Sequence, residues 1–343
     1  MIKSLDTKIA DILADPSGSK AFIIADAKDA DMAFGVAAPG PRRGAQANEH
    51  DTEWKTLEDF RCQIRDVVRQ GIVDIMLLSA SNLEVLVEKG VFKNSAVKPA
   101  IRANDTTDIW VVRGADYSKQ PSRPFRTASL SRVMTGSLDA SRGTAVTGTD
   151  LGLYSITFNN DLSHDYTSLE HFSAFREDAA RHDFKYFLEV FNPNVECRID
   201  PALVPHYIND CIVRCLAGVT KADRPQFLKI AYNGPKALEE LASFDPGITV
   251  GVLGGGAGTT RDCFELLNQA ERYGARVALF GRKINLAEDP LAMVSFMREV
   301  ASGNIQPLEA VKAYHGSLQK SGLTPIRALA ADSEITEKVL KAG

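Results

Sequence analysis

Short β-rich apolar runs recur along the chain with amphipathic segments between them, a rhythm that predicts parallel strands joined by helical crossovers. Eight runs fit it: Phe22–Asp26, Val73–Leu78, Val97–Arg102, Leu153–Phe158, Tyr186–Phe191, Phe227–Tyr232, Ile248–Leu253 and Val277–Phe280. Eight is the number of strands that closes a (β/α)8 TIM barrel. Helical periods bounded by turn residues cover Ser168–Arg181, Val204–Ala217, Pro235–Ser243 and Thr260–Tyr273, with Gly274 placed as a C-cap. Leu5–Leu13 predicts an extra helix before the first strand, Ala292–Val300 the eighth barrel helix, and Pro307–Gln319 an addition. The expected architecture is α/β, a single barrel domain over residues 1–343. It carries a helical N-terminal extension, a large insertion after strand 3 at about 104–149 and a helical C-terminal addition at about 303–343.

Two stretches break the rhythm, Ala37–Glu53 and Asn104–Thr149, the second rich in Gly, Ser, Thr, Arg and Pro. Both follow a strand, which in a barrel places them on the C-terminal face where substrates bind. Loops of this length serve as lids or binding loops. The other reading is a hairpin, Ile109–Arg113 with Phe125–Leu130, used in contact between subunits.

Composition narrows the partner. The 343 residues hold 40 Lys and Arg against 44 Asp and Glu, a formal net charge of −4, which offers no basic field for nucleic acid or anionic lipid. A small molecule is the expected partner. No apolar run approaches the roughly 18–20 residues of a membrane span, and residues 1–20 lack a signal-peptide stretch. Five cysteines, an odd number spread thinly, predict reduced thiols and a cytoplasmic protein.

The most informative segment is Phe227-Leu-Lys-Ile-Ala-Tyr-Asn-Gly234, with a lysine in mid-strand. Side chains alternate along a strand, so if Leu228 and Ile230 pack on helices, Lys229 points into the barrel. Desolvation there is expected to lower its pKa toward neutrality and leave an amine nucleophilic toward carbonyls. The rival reading is a lysine at an exposed strand end or in a buried ion pair.

The next strand closes in Gly251-Val-Leu-Gly-Gly-Gly-Ala-Gly258, ahead of a helix opening at Thr259 or Thr260, and the eighth ends Leu279-Phe-Gly-Arg282. Gly254, Gly255, Gly256, Gly281 and Arg282 together describe the recurrent barrel phosphate site. A dinucleotide site needs Gly-x-Gly-x-x-Gly, and from Gly254 the last position is Thr259. Arg282 would nonetheless suit the 2′-phosphate of NADP, so an NADP-linked reductase is an alternative. Asp26 shares a face with Ile24 and Lys28 at the end of strand 1, and Glu189 lies between apolar neighbours in strand 5. Two such carboxylates divide acid and base roles when their environments differ, or serve as partners of a buried cation, for which Arg102 is the obvious candidate. The six histidines show no metal-ligand spacing, Cys211 and Cys215 fit an apolar helix face, and no Gly-x-Ser-x-Gly elbow occurs.

This succession of a first-strand aspartate, Phe187-Leu-Glu189, Leu228-Lys-Ile230, the glycine run and Gly281-Arg282 resembles the class I aldolase barrels. The group includes tagatose-bisphosphate, archaeal-type fructose-bisphosphate and deoxyribose-phosphate aldolases. The likeness is best over Lys185–Val300 and topological before it. It implies a Schiff base on Lys229 with a ketose-phosphate carbonyl, Asp26 assisting, Glu189 as acid/base, and phosphate held at Gly255, Gly256, Gly281 and Arg282. No metal or other cofactor is implied, and a homo-oligomer is. The fourth strand, Leu153-Tyr-Ser-Ile-Thr-Phe158, lacks the lysine of the tagatose type; Tyr154 falls near that place, and Lys28 is the cation expected to replace it. A barrel that binds sugar phosphate without catalysis is the remaining alternative.

Overall fold

The computed structural model describes residues 1–42, 52–138, 140, 143–256 and 258–343. Eight parallel strands close into a barrel: β1 Ile23–Lys28, β2 Ile75–Leu78, β3 Lys98–Arg102, β4 Leu151–Thr157, β5 Lys185–Phe191, β6 Leu228–Ile230, β7 Gly251–Leu253 and β8 Val277–Phe280. All eight expected strands are present, and the closure pairs β1 with both β2 and β8. Strands β2, β3, β6 and β7 are shorter than their apolar runs, whereas β1, β4 and β5 are longer.

Alternation divides each strand between two cores. Ile23, Ala25, Ile75, Leu77, Leu153, Phe187, Phe227 and Leu279 fill the barrel interior. Ile24, Met76, Tyr154, Leu188, Leu228 and Ile230 face the helices. The N-terminal helix, Ser4–Ala14, adds Leu5 and Ile12 to the interior cluster, so the extension packs onto the barrel's own core.

The expected helices are found with modest shifts. The largest is at Leu162–His182, which begins six residues earlier than its period because Asp161 caps it by accepting the His164 N–H. Gly274 has φ of +100° just past Thr260–Arg272, in the place expected of a C-cap glycine. Two first-half helices, Leu57–Gln70 and Ala80–Glu88, complete the crossovers after β1 and β2. The hairpin expected within the insertion is not formed by Ile109–Arg113 and Phe125–Leu130. Instead Asp105–Thr106 pairs antiparallel with Pro124–Phe125, and Leu130–Thr135 is helical. Of Ala37–Glu53, residues 43–51 lie outside the described residues; Pro41 bridges to Trp54.

Strand β1 corrects one sequence expectation. Since Ile23 and Ala25 fill the interior, Asp26 and Lys28 share the parity of Ile24 and face the helix layer. Both are wholly buried there, 3.2 Å apart as an ion pair, with no other hydrogen-bond partner among the described residues. Burial pushes the Asp26 carboxyl up to about 6 against the pull of Lys28, and draws the Lys28 ammonium down against the pull of Asp26. Folded Asp26 therefore takes up a proton more readily than in the unfolded chain. Its contribution favours the fold in acid and is lost as pH rises from about 4 through about 6. In urea unfolding, the stability of the wild type relative to Asp26→Asn is expected to fall as pH is raised across that window; a pH-independent difference would show that Asp26 does not titrate there.

Candidate active site

The C-terminal ends of the strands enclose a cavity of about 330 Å³. Register builds its floor: Ser155 of β4 lies beside Glu189 of β5, and Glu189 beside Lys229 of β6, all three with interior parity. Lys229 reaches the interior because Leu228 and Ile230 pack outward, as the alternation predicts. Its Nζ lies 2.5 Å from Glu189 Oε1, so the enclosure is not simply apolar but shared with a carboxylate.

The second carboxylate oxygen, Glu189 Oε2, accepts from Ser155 Oγ at 2.7 Å and from Arg102 Nη2 at 3.5 Å. Arg102, ending β3, also donates through Nη1 to Ser155 Oγ at 3.1 Å and through Nε to Asp29 Oδ2 at 2.6 Å. Four buried groups, Asp29, Arg102, Glu189 and Lys229, thus form one charge-alternating chain across the barrel mouth. Burial alone would push the Asp29 carboxyl up. The charges of Arg102 and Lys229 and its hydrogen bonds outweigh that and hold it below the usual carboxylate range. Burial works against the Arg102 charge too, yet Asp29 and Glu189 raise its pKa above the ordinary arginine value.

Several expected site residues are placed elsewhere. Asp26 and Lys28 lie behind β1 and do not reach the cavity; Asp29, one position past the strand and with the parity of Ala25 and Ala27, lines it instead. Tyr154 also points the wrong way. It is stacked on Phe175 at 4.4 Å between strand and helix, with its pKa raised by burial, and Ser155 takes the position expected of it. Arg102, by contrast, lines the cavity and is paired with a buried carboxylate as expected, Glu189, and with Asp29 as well.

The glycine ends approach as expected only in part. Gly254, Gly255, Gly281 and Arg282 line the cavity, and Arg282 donates to the Gly255 carbonyl at 2.9 Å. A Cβ on Gly281 would sit 2.7 Å from the Ala27 carbonyl oxygen, so the chain leaves β8 against β1 only with glycine there. Gly256 lines instead a neighbouring cavity of about 170 Å³ closed by Glu337, Val339 and Leu340. The N-terminus of the helix after the glycine run is also spoken for: Thr259 and Asp262 form a capping box, and the Thr260 N–H donates to Asp332 Oδ1 at 2.7 Å. Three N–H groups of that terminus, those of Thr259, Thr260 and Asp262, are thus taken up by side chains of the protein itself.

The insertion after β3 supplies a wall. Asp108, Ile109 and Val111 line the cavity, and the Val111 N–H donates to the Ala33 carbonyl at 2.9 Å, tying it to the segment after β1. Asp108 accepts from Thr157 Oγ1 at 2.7 Å and from Ser122 Oγ at 2.8 Å. Among the described residues, no group of three His, Cys, Asp or Glu side chains is arranged to hold a metal, and no helix is long and apolar enough to cross a membrane.

Fold and site together define a (β/α)8 barrel with a lysine–glutamate pair at the mouth. No family model and no curated protein matches the chain. Solved structures of the same fold include the fructose-bisphosphate aldolase of Slackia heliotrinireducens, 12% identical with a TM-score of 0.63 over 91% of each chain. An archaeal fructose 1,6-bisphosphate aldolase is 16% identical, with a TM-score of 0.57 over 86% of this chain and 99% of that one. A third, archaeal, structure of such an aldolase has its catalytic Lys covalently bound to the carbinolamine intermediate; it is 16% identical with a TM-score of 0.58 over 86% and 99%. The likeness to Schiff-base aldolase barrels is one of fold at these identities.

Proposed function

We propose that the chain is a class I aldolase that cleaves or forms a phosphorylated ketose through a Schiff base on Lys229. The observation that carries this reading is the Lys229–Glu189 pair, 2.5 Å apart in the cavity at the C-terminal face of the barrel. A carboxylate at that distance accepts the proton that the ammonium must lose before its lone pair adds to a C2 carbonyl. The carbinolamine then loses water, and the protonated imine becomes the sink for the electrons of the breaking C3–C4 bond. Glu189 or Asp29 takes the C4 hydroxyl proton, which leaves an aldehyde and an enamine; the same carboxylic acid returns the proton to the enamine carbon. Hydrolysis of the imine releases the second product and restores Lys229. None of these steps calls on a metal or another cofactor.

Phosphate is proposed to lie against Gly255, Gly281 and Arg282, an anchor remote from the breaking bond that orients the carbonyl toward Nζ. Cytoplasmic residence, supported by five cysteines without a disulfide, and assembly of like subunits complete the proposal. Borohydride reduction in the presence of a ketose phosphate is expected to fix the substrate on the protein as a mass increase confined to the peptide bearing Lys229. An absence of adduct across a panel of ketose phosphates, or an adduct on another lysine, would refute the mechanism.

A further inference from the structure

The two charges of the cavity that lack an ionic partner stand at opposite ends of it. Of the cations lining it, Lys229 is paired with Glu189, and Arg102 with Asp29 and Glu189. Arg282 makes no ion pair among the described residues and bonds only to the Gly255 carbonyl. Of the carboxylates, Asp108 alone has no cation within reach among the described residues; its two oxygens accept hydroxyls from Ser122 and Thr157. Arg282 follows β8, whereas Thr157 ends β4. In the closed order β1-β8-β7-β6-β5-β4-β3-β2 these strands are diametrically opposed. The residues that follow Asp108 in the insertion and line the cavity with it, Ile109 and Val111, are apolar.

From this polarity we infer that the site takes a ketose bearing a single phosphate, held at the Arg282 pole, whose other end is uncharged and carries a hydroxyl or an apolar group. The inference rests on the aldolase reading for the identity of the ketose and on the cavity's own charges for the rest. A terminal phosphate at the far end would meet a carboxylate and apolar side chains, and the described cation nearest in strand order, Arg102 of β3, is already paired with Asp29 and Glu189. A sugar hydroxyl there meets an acceptor. Asp108 is then a specificity-determining residue that rejects by repulsion as well as selecting by hydrogen bonding.

The test compares fructose 1-phosphate with fructose 1,6-bisphosphate on the full chain at fixed ionic strength, by calorimetric binding and by kcat/KM. The monophosphate is expected to bind at least tenfold more tightly and to be cleaved at least tenfold more efficiently. Asp108→Asn is expected to shrink that preference at least threefold by improving the bisphosphate, while Lys229 stays competent for reductive trapping. Equal or tighter binding of the bisphosphate, or a preference untouched by Asp108→Asn, overturns the inference, as does failure of both ligands to bind. Tighter binding of the monophosphate without any adduct on Lys229 would instead leave this inference standing and remove the aldolase reading.

Discussion

Lys229→Ala is expected to lower kcat/KM for aldol cleavage by roughly 10⁴-fold or more, about 5.5 kcal/mol of transition-state stabilisation, because the imine that accepts the C–C bonding electrons cannot form without the amine. The loss should appear in kcat and survive saturating substrate, since Gly255, Gly281 and Arg282, the proposed phosphate contacts, are untouched. Lys229→Arg is expected to be no better: a guanidinium keeps its charge at any working pH and has no lone pair to add to a carbonyl. Folding should hold in the alanine variant, because Glu189 retains Ser155 and Arg102 as partners. Steady-state assay with unfolding as the control checks this. A Lys229→Ala protein that is folded and within tenfold of wild-type activity would mean that the lysine is merely Glu189's counter-ion.

The lysine is legible because its strand is unambiguous: Leu228 and Ile230 want a helix layer, and the residue between them has only the interior left. The same logic applied to β1 assigns Ile24, and with it Asp26 and Lys28, to the helix side, and hands the interior to Ala25, Ala27 and Asp29. Asp26 matches the first-strand aspartate of the resemblance, but its parity is that of Ile24. The small residues Ala25 and Ala27 were the signal, since a strand end beside a substrate needs room inside and bulk outside. Strand β4 repeats the point, where Tyr154 is large enough to need the helix layer and Ser155 small enough to sit beside Glu189. Other features lie beyond any local pattern. Nothing near Thr260 in the chain says that its N–H will donate to Asp332, and nothing near Asp108 says that its carboxylate will accept from Thr157, because those contacts span 72 and 49 residues. The barrel itself was legible because repeated βα units carry their signal locally.

Arg102→Met is expected to be the most damaging substitution for the fold, at about 3–5 kcal/mol near neutral pH, because it leaves two buried carboxylates without the cation that joins them. Asp29 loses its guanidinium at 2.6 Å, and the Ser155 hydroxyl loses the Arg102 Nη1 donor at 3.1 Å. The pH dependence follows from sign. In the wild type the Asp29 carboxyl is held below the usual range, so its contribution is present above the ordinary carboxylate value of about 4 and is lost as pH falls below it. Without Arg102, burial takes over and Asp29 gains stability by accepting a proton. The gap between wild type and variant is therefore largest at neutral pH and narrows in acid. Arg102→Lys should recover little of it, since one ammonium cannot reach Asp29, Ser155 and Glu189 from a single planar fork. Adding Asp29→Asn to Arg102→Met should recover more, because it removes one of the stranded charges. Denaturant unfolding of these variants at pH 7 and near pH 4 checks each step: a loss under about 1 kcal/mol at pH 7, or one that stays constant into acid, would show that the buried chain does not depend on its arginine.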